Sequence, residues 1–396
     1  MARRELDQYT VPRKVPKVRW LEGSAFPQSD LHFATALHLD GKAGVSVLLC
    51  TTRMQRATDS IEPCYQTKLT DAKAIVRGMN TPLFSTIWSC SNPRQFEITR
   101  AEDVKSKFSP VQLAEAPHRG EVLDMRVIEG RHPLLATASS MGEISLYKAT
   151  LEGGSPSIER VATHRHHGFP DMGVAEATSI AIRPQALNEI ASVGEDSRLA
   201  LTGVDNIQKT LQRSDRVGTG LSAVCWRSSS SLAVATKTGQ VRLFDRRNIT
   251  KSVQPTLQDV KQRDLLTCIA QHPTEIYKLA TGNDDGGISI WDVRNMSKPD
   301  IKIIKAHNSI VWEVKFHPNQ TDKLISCSQD GTLVTLNWKQ AVDDYVSDAT
   351  STRDEHIATY WSSIRNVLSV NSIDYHNRAN VLLAGSDSGG ILHSAQ

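Results

Sequence analysis

The chain carries little net charge of either sign, and its cysteines are few and scattered. A formal net charge of +3 over 396 residues is too small for a protein dedicated to binding nucleic acid. The cysteines show no paired spacing, so they indicate neither a disulfide framework nor a zinc site. They are Cys50, Cys64, Cys90, Cys225, Cys268 and Cys327. We therefore expect a reducing compartment, the cytosol or the nucleus.

Long apolar runs are also missing. No run of about 18 apolar residues occurs, and the N-terminal MARRELDQYT lacks the apolar centre of a signal peptide. We expect neither a membrane span nor a secretory signal. The basic residues between positions 3 and 19 are widely spaced, so we interpret them as a solvated terminal segment.

The chain does contain an internal repeat. LATGNDDGGISIWD (279–292) and LISCSQDGTLVTLN (324–337) each combine an apolar strand, an Asp-Gly turn and a second strand. The separation of their turn glycines, Gly286 and Gly331, matches the period of about 40–45 residues of a WD40 propeller blade. Weaker copies occur at 135–147, 190–202, 232–245 and 382–393. They place turns at positions 142, 197, 239 and 389, and Ser197 stands where glycine is expected.

An alternating strand precedes most copies of the repeat. Such alternation is typical of a strand whose two faces pack between stacked blades. The predicted strands are Glu121–Val127, Thr178–Ile182, Leu221–Trp226, Leu266–Ala270, Ile310–Phe316 and Leu368–Tyr375. Together with the repeat copies, they predict six blades.

A further blade is predicted from the first part of the chain. LHFATALHLD (31–40) and PLFSTIWSC (82–90) resemble blade strands, and we interpret 41–81 between them as an insertion. The last copy ends too early for a fourth strand, and Asp7–Val11 can supply it, because folded proteins avoid unpaired edges. The predicted fold is therefore all-β: one seven-bladed WD40 β-propeller over 1–396, its last blade closed by an N-terminal strand.

Several residues have the types found in catalytic sites. His307, Ser326 and Asp330 belong to one repeat copy, and Thr281, Asp285 and Trp291 belong to the copy before it. Because buried polar groups must be paired, we interpret all six as supports of the blade turns. The acidic pairs Glu195-Asp196 and Asp284-Asp285 also fall in turns, where aspartate is favoured. No catalytic residue is predicted.

Two short motifs have alternative interpretations. THRHHG (163–168) offers His164, His166 and His167 to a metal, but a structural zinc requires four ligands, so no metal or cofactor site is predicted. WDVR (291–294) resembles the Trp-Asp-x-Arg signature of substrate receptors of cullin-type ubiquitin ligases. Trp291, Asp292 and Arg294 therefore form an alternative adaptor-binding motif.

Segments inside and outside the repeat resemble one propeller family. KAHNSIVWEVKFHP (305–318), LATGNDDGGISIWDVRNMSKP (279–299) and SVGEDSRLAL (192–201) are similar to the forty-three-kilodalton WD40 nucleoporins of the Y-shaped outer-ring complex of the nuclear pore. The similarity extends to KVRW (17–20), HRGEVLDMR (118–126) and LSVNSIDY (368–375). It covers about 115–396 well and the first 115 residues poorly.

The resemblance implies a non-enzymatic scaffold subunit in the short arm of the Y complex. It implies attachment to an α-helical scaffold nucleoporin, location at the nuclear envelope, and support of pore assembly, protein transport and mRNA export. Animal members of this complex also visit kinetochores in mitosis. No direct contact with nucleic acid and no membrane insertion are expected. Candidates for the partner-facing surface are 41–81, Asn92–Ser109 and Asp343–His356, and no contact residues are carried over.

Overall fold

The structure is a computed structural model that describes most of the chain beyond residue 110. The described residues are 7–10, 14–21, 30–38, 45–52, 86–91, 110–129, 133–150, 156–171, 173–258, 264–295, 298–303, 306–339, 360–362, 368–376, 381–387 and 390–395. Most of the predicted insertion, together with Asn92–Ser109 and Asp343–His356, lies outside them. Across the described part, no helix reaches the length and apolarity needed to cross a lipid bilayer.

The first sheet contains the described strands between residues 14 and 117. Its strands are β2 (Lys14–Leu21), β3 (Asp30–His38), β4 (Val45–Thr52), β5 (Thr86–Ser91) and β6 (Pro110–Pro117). β4 pairs antiparallel with both β3 and β6. The predicted insertion 41–81 is therefore wrong at its start, because VSVLLCTT (45–52) is an apolar, β-branched strand of the sheet itself.

Four-stranded antiparallel sheets follow in chain order. The second contains β7 (Val122–Ile128), β8 (Leu134–Ser139), β9 (Glu143–Thr150) and β10 (Ser157–Arg165). The third contains β11 (Ala177–Ile182), β12 (Glu189–Gly194), β13 (Leu199–Gly203) and β14 (Thr210–Arg213). The fourth contains β15 (Leu221–Ser228), β16 (Ser231–Thr236), β17 (Gln240–Asp245) and β18 (Asn248–Gln258).

Two more sheets of the same kind continue the series. The fifth contains β19 (Leu266–Gln271), β20 (Lys278–Asn283), β21 (Ile288–Asp292) and β22 (Ile301–Ile303). The sixth contains β23 (Val311–Phe316), β24 (Lys323–Ser328), β25 (Thr332–Asn337) and β26 (Tyr360–Ser362). The first strand of each sheet in this series lies close to its predicted position. The β-propeller prediction is confirmed, whereas the count of seven blades stays a prediction.

The last sheet joins the two ends of the chain. It contains β27 (Val370–His376), β28 (Val381–Ser386) and β29 (Gly390–Ala395), and its fourth strand is β1 (Asp7–Thr10). β1 pairs antiparallel with β29, with Asp7 opposite His393 and Thr10 opposite Gly390. The N-terminal strand thus covers the edge that β29 would otherwise present.

Apolar clusters lie between consecutive sheets. One cluster joins the fourth and fifth sheets, where Leu243 and Leu257 pack with Leu279 and Trp291. Another joins the fifth and sixth sheets through residues such as Ile290 and Phe316. Because each sheet buries both of its faces against neighbours, no sheet holds its core alone.

The turn between the second and third strands of a sheet requires a left-handed backbone. Gly142, Gly239, Gly286 and Gly331 have φ between 71° and 83°. Ser197, at the equivalent place in the third sheet, has φ of 63°. These turn positions are confirmed, and position 389 lies outside the described residues. At Gly286, the loop that leads to the next sheet also passes close by, and the His307 N–H donates to the Gly286 carbonyl at 3.0 Å.

We expect Gly286→Ala to destabilise the ring. A Cβ atom at this position would lie 2.2 Å from the His307 carbonyl oxygen, and the φ of 83° is unfavourable for alanine. The free energy of unfolding should fall by about 2 kcal/mol or more in urea titration. Gly203→Ala is the matched control, because nothing lies within 4 Å of its added Cβ. Equal stability of the two variants would contradict the close-approach argument.

Deleting residues 1–13 should lower the melting temperature of the whole ring. The deletion removes β1 and exposes the backbone groups of β29 that pair with it. Deleting only residues 1–6 keeps β1 complete and serves as the control. The comparison is made by circular dichroism during heating, and an unchanged melting temperature for the 1–13 deletion would count against a closing role for β1.

Candidate binding surfaces around the central channel

A buried arginine lies where the two ends of the chain meet. Arg19 of β2 donates from Nη2 to Glu313 Oε1 at 2.7 Å and from Nη1 to Ser372 Oγ at 2.8 Å. Its Nε donates to the Met125 carbonyl at 2.7 Å, and Nη2 also lies 3.3 Å from Asp124 Oδ1. The guanidinium therefore contacts β7, β23 and β27. These are the edge strands that we call the inner strands of the second, sixth and last sheets.

Carboxylates of this cluster also accept backbone N–H groups from the next sheet. Asp124 Oδ2 accepts from the Ile180 N–H at 3.0 Å, and Glu313 Oε2 accepts from the Ile373 N–H at 3.0 Å. Asp374 Oδ2 accepts from the Trp20 N–H at 2.6 Å. Each bond crosses from one inner strand to that of the following sheet. These contacts were not predicted from the sequence, although a polar residue within an otherwise apolar inner strand is a usable signal for them.

The charges of the cluster stabilise each other. Burial raises the pKa of the Glu313 carboxyl, but Arg19, Lys315, Lys17 and Arg126 outweigh burial and hold this pKa well below its ordinary value. Burial lowers the pKa of Arg19, but Glu313, Asp124 and Asp374 raise it above its ordinary value. Both groups are therefore charged at neutral pH. We name Arg19, Asp124, Arg126, Glu313, Lys315 and Asp374 the channel ion network.

The predicted turn residues of the sixth sheet lie close together. His307 is 2.7 Å from Ser326 Oγ through Nε2 and 2.7 Å from Thr332 Oγ1 through Nδ1. Asp330 lies 3.7 Å from His307 Nδ1 and accepts from the Asn308 N–H at 2.7 Å. His307 and Ser326 are buried, so these side chains connect the loop before the sheet to the turn within it.

The third sheet contains an equivalent set that sequence analysis did not assemble. His167 Nδ1 lies 2.9 Å from Asp196 Oδ1, and His167 Nε2 lies 3.0 Å from Ser192 Oγ. The order of contacts is that of a serine-hydrolase triad. Each of the three residues is only 1% exposed, so a substrate cannot reach the hydroxyl. The shared signal is a serine four positions before an aspartate, as in Ser326 and Asp330.

The fifth sheet departs from the predicted set. Trp291 Nε1 donates to Thr281 Oγ1 at 2.9 Å, and both residues are buried. Asp285, by contrast, is exposed on the outside of the turn, so its predicted part in a buried set is wrong. Asn283 closes the turn instead, because its Oδ1 accepts from the Asp285 N–H at 3.2 Å and from the Gly287 N–H. No histidine precedes this sheet, so a buried aspartate would have lacked its partner.

Within THRHHG, the surroundings of His167 differ from those of His164 and His166. His167 contacts Asp196 and Ser192, while the rings of His164 and His166 meet edge to face at 4.8 Å. Burial, followed by His164, lowers the pKa of His166 to about 3. Among the residues that the structure describes, no group of three or more His, Cys, Asp or Glu is placed to hold a metal ion.

The WDVR residues are engaged within their own sheet. Trp291 and Asp292 are buried, and Asp292 Oδ1 accepts from the N–H and Nε of Arg294 at 2.9 Å and 2.8 Å. The Arg294 guanidinium lies 4.6 Å from the centre of the Tyr277 ring. Only the Arg294 side chain is accessible, and it is held against the sheet that carries it.

Glu313→Gln tests the channel ion network. The substitution leaves buried Arg19 with less opposing charge, so the free energy of unfolding at neutral pH should fall by about 3 kcal/mol. The folded-state pKa of Glu313 lies below the ordinary 4.5, so its contribution is complete above about pH 4.5 and is lost as the pH falls further. The variant should therefore lose less stability than the unmodified protein on acidification below about pH 4.5. Exposed Glu159→Gln is the control, and identical acid profiles would contradict the assignment.

Comparison with known proteins identifies one family model and several relatives. The family model described as the EIPR1 β-propeller matches residues 175–336. The chain is 30% identical to "Nucleoporin Nup43" of Mus musculus over 235 residues, which cover 58% of this chain and 60% of the relative. It is 29% identical to the Homo sapiens protein of the same name over 237 residues, with the same coverages.

A more distant relative has a similar name. The chain is 26% identical to "Nuclear pore complex protein nup43" of Dictyostelium discoideum over 154 residues, 39% of this chain and 36% of that protein. The match thus spans about 60% of the length of the two mammalian relatives. The chain is a β-propeller that is similar in sequence to the Nup43 nucleoporins.

Proposed function

We propose that this protein is a non-enzymatic scaffold subunit of the nuclear pore complex that binds other nucleoporins. The observation that carries the proposal is the similarity to Nup43 proteins of three organisms. A propeller suits this role because its faces and edges are available to partners, while its blade faces are buried in the ring. The small net charge favours protein partners over a polyanion.

The scaffold is proposed to be a closed ring of seven blades in one domain. Pairing of β1 with β29 supports closure, because it joins the first strand of the chain to the last. The contacts of Arg19 with the second and last sheets support it independently. A closed ring presents partners with a rigid surface, which lowers the entropic cost of binding.

A binding role is favoured over catalysis. The His167, Ser192 and Asp196 set has the contact order of a hydrolase but is buried. In the sixth sheet, His307 and Ser326 are buried as well. These groups connect loops to turns, and their hydrogen bonds are used within the fold. We therefore propose that the protein has no enzymatic activity and needs no cofactor.

The proposed partners are nucleoporins of the Y complex, with an α-helical scaffold nucleoporin of the short arm as the direct contact. Through the assembled pore, the protein would support protein transport and mRNA export. Its proposed location is the nuclear envelope, and kinetochores in mitosis are a further proposed location. The family resemblance supports each of these, and none requires direct contact with nucleic acid or lipid.

The ubiquitin-ligase alternative has less support. It requires Trp291, Asp292 and Arg294 to be available to an adaptor, but the first two are buried. Arg294 bonds to Asp292 and lies over Tyr277. These contacts give WDVR a role within its own sheet.

Localisation and purification of the tagged full-length chain test the scaffold function. We expect a punctate nuclear rim and co-purification of outer-ring nucleoporins. Arg294→Ala should leave both unchanged, because Arg294 has no part in the proposed role. Diffuse staining without nucleoporins would contradict the proposal. Recovery of a cullin adaptor that Arg294→Ala abolishes would support the ligase alternative instead.

A further inference from the structure

A cavity opens at one mouth of the central channel. Its volume is about 590 Å³, and residues of the first to sixth sheets line it. Residues at the starts of inner strands and in the turns form its walls, and Asp124, Arg126, Glu313 and Lys315 of the channel ion network also line it. This volume is typical of pockets that enclose a small ligand or a few side chains.

One wall of the cavity is apolar and carries an exposed tryptophan. Trp312 is 38% exposed, whereas Trp20, Trp226, Trp291 and Trp338 are each at most 6% exposed. Ile310 and Leu265 line the cavity with it. The Trp312 ring is held in place, because Nε1 donates to Ser369 Oγ at 2.9 Å. A fixed, accessible aromatic side chain in a concave surface is the usual anchor of a protein interface.

Another part of the cavity wall is acidic. Glu176, Glu195 and Asp284 belong to it, and Lys237 beside them forms an ion pair with Glu195. The other cations that line the cavity, Lys17, Arg126 and Lys315, act on Glu313 of the channel ion network instead. Burial and then Glu195 raise the pKa of Glu176, and Lys237 opposes them only in part. Like charges therefore face each other here with too few cations between them. A further positive charge at this wall would relieve the repulsion.

We propose that this cavity binds a short segment of a partner protein that carries an arginine or lysine next to a large apolar side chain. The cationic group lies against Glu176, Glu195 and Asp284, and the apolar side chain packs on Trp312. The cavity selects for a cationic and an apolar side chain together. A segment with only one of them would leave either the carboxylates or Trp312 without a matching group. The same carboxylates disfavour a phosphate-rich ligand in this part of the cavity, since they repel its charge.

This proposal goes beyond the scaffold function and does not depend on the nuclear pore. It concerns the chemistry of the bound segment, whichever assembly supplies it. The test therefore uses no nucleoporin. A failed localisation experiment and a failed binding experiment would be independent results.

The experiment is selection from a phage-displayed library of random dodecapeptides on the immobilised full-length protein. We expect enriched peptides to pair Arg or Lys with Leu, Phe or another large apolar residue. An enriched peptide, labelled and titrated by fluorescence anisotropy, should bind about tenfold more weakly to Trp312→Ala. Glu176→Gln should weaken it several-fold, and added salt should reduce affinity for the unmodified protein more than for this variant.

Matched controls separate the cavity from general surface effects. Tyr277→Ala removes an aromatic residue of similar exposure, 43%, that does not line the cavity. Glu159→Gln removes an exposed carboxylate of the outer strand β10. Both variants should bind the peptide as the unmodified protein does. Melting temperatures identify any variant that fails to fold, and exposed Glu176→Gln keeps the test valid if Trp312→Ala does not fold.

Four results would overturn the proposal. The first is no enrichment above an unrelated immobilised protein. The second is enrichment of peptides that lack a cationic residue. The third is equal affinity for the unmodified protein, Trp312→Ala and Glu176→Gln. Loss of binding in Tyr277→Ala with retention in Trp312→Ala would place the site on another surface and would also contradict it.

Discussion

The buried guanidinium of Arg19 is the constraint on which closure of the ring depends. A charge out of contact with water is costly unless opposite charges and hydrogen bonds surround it. Glu313, Asp124 and Ser372 supply them from three different sheets, two of them near the other end of the chain. Arg19 can therefore be buried only when both ends meet, and an open ring would leave unpaired charges on the inner strands. The same carboxylates accept backbone N–H groups from the following sheet, so ring geometry and charge pairing stabilise each other.

The turns and loops around this centre follow the same rule. His307 with Ser326, and His167 with Ser192 and Asp196, satisfy buried polar groups while tying a loop to the sheet that follows it. Where no histidine precedes the sheet, as in the fifth, the aspartate is exposed and Asn283 replaces it. Side chains that look catalytic in the sequence are thus used in holding the blades together, which supports a binding role for the protein.

The channel ion network also shapes the proposed binding cavity. The charges of this network are paired with one another, so they leave little unbalanced charge for a ligand to bind. Charge imbalance begins only at the mouth, where Glu176 and Glu195 share one lysine. Specificity is therefore expected at the rim, from the acidic wall and Trp312. A rigid ring makes such a small site effective, because little entropy is lost when a segment binds.

The sequence alone determined the features that have a local cause. The spacing of the repeat and the alternation of its strands predicted the propeller and its inner strands. The repeat spacing also located the left-handed turns, including Ser197 in a glycine position. A left-handed turn can be predicted locally because the allowed backbone angles depend on the residue at that position. Only the tertiary structure decided which polar groups meet. Arg19 and Glu313, like Trp312 and Glu176, are brought to common sites by the arrangement of the sheets in the ring, and no local pattern encodes a contact between residues so far apart. The predicted start of the insertion was wrong for a similar reason. β4 (45–52) is part of the first sheet, and its pairing partners β3 and β6 come from chain segments before and after it.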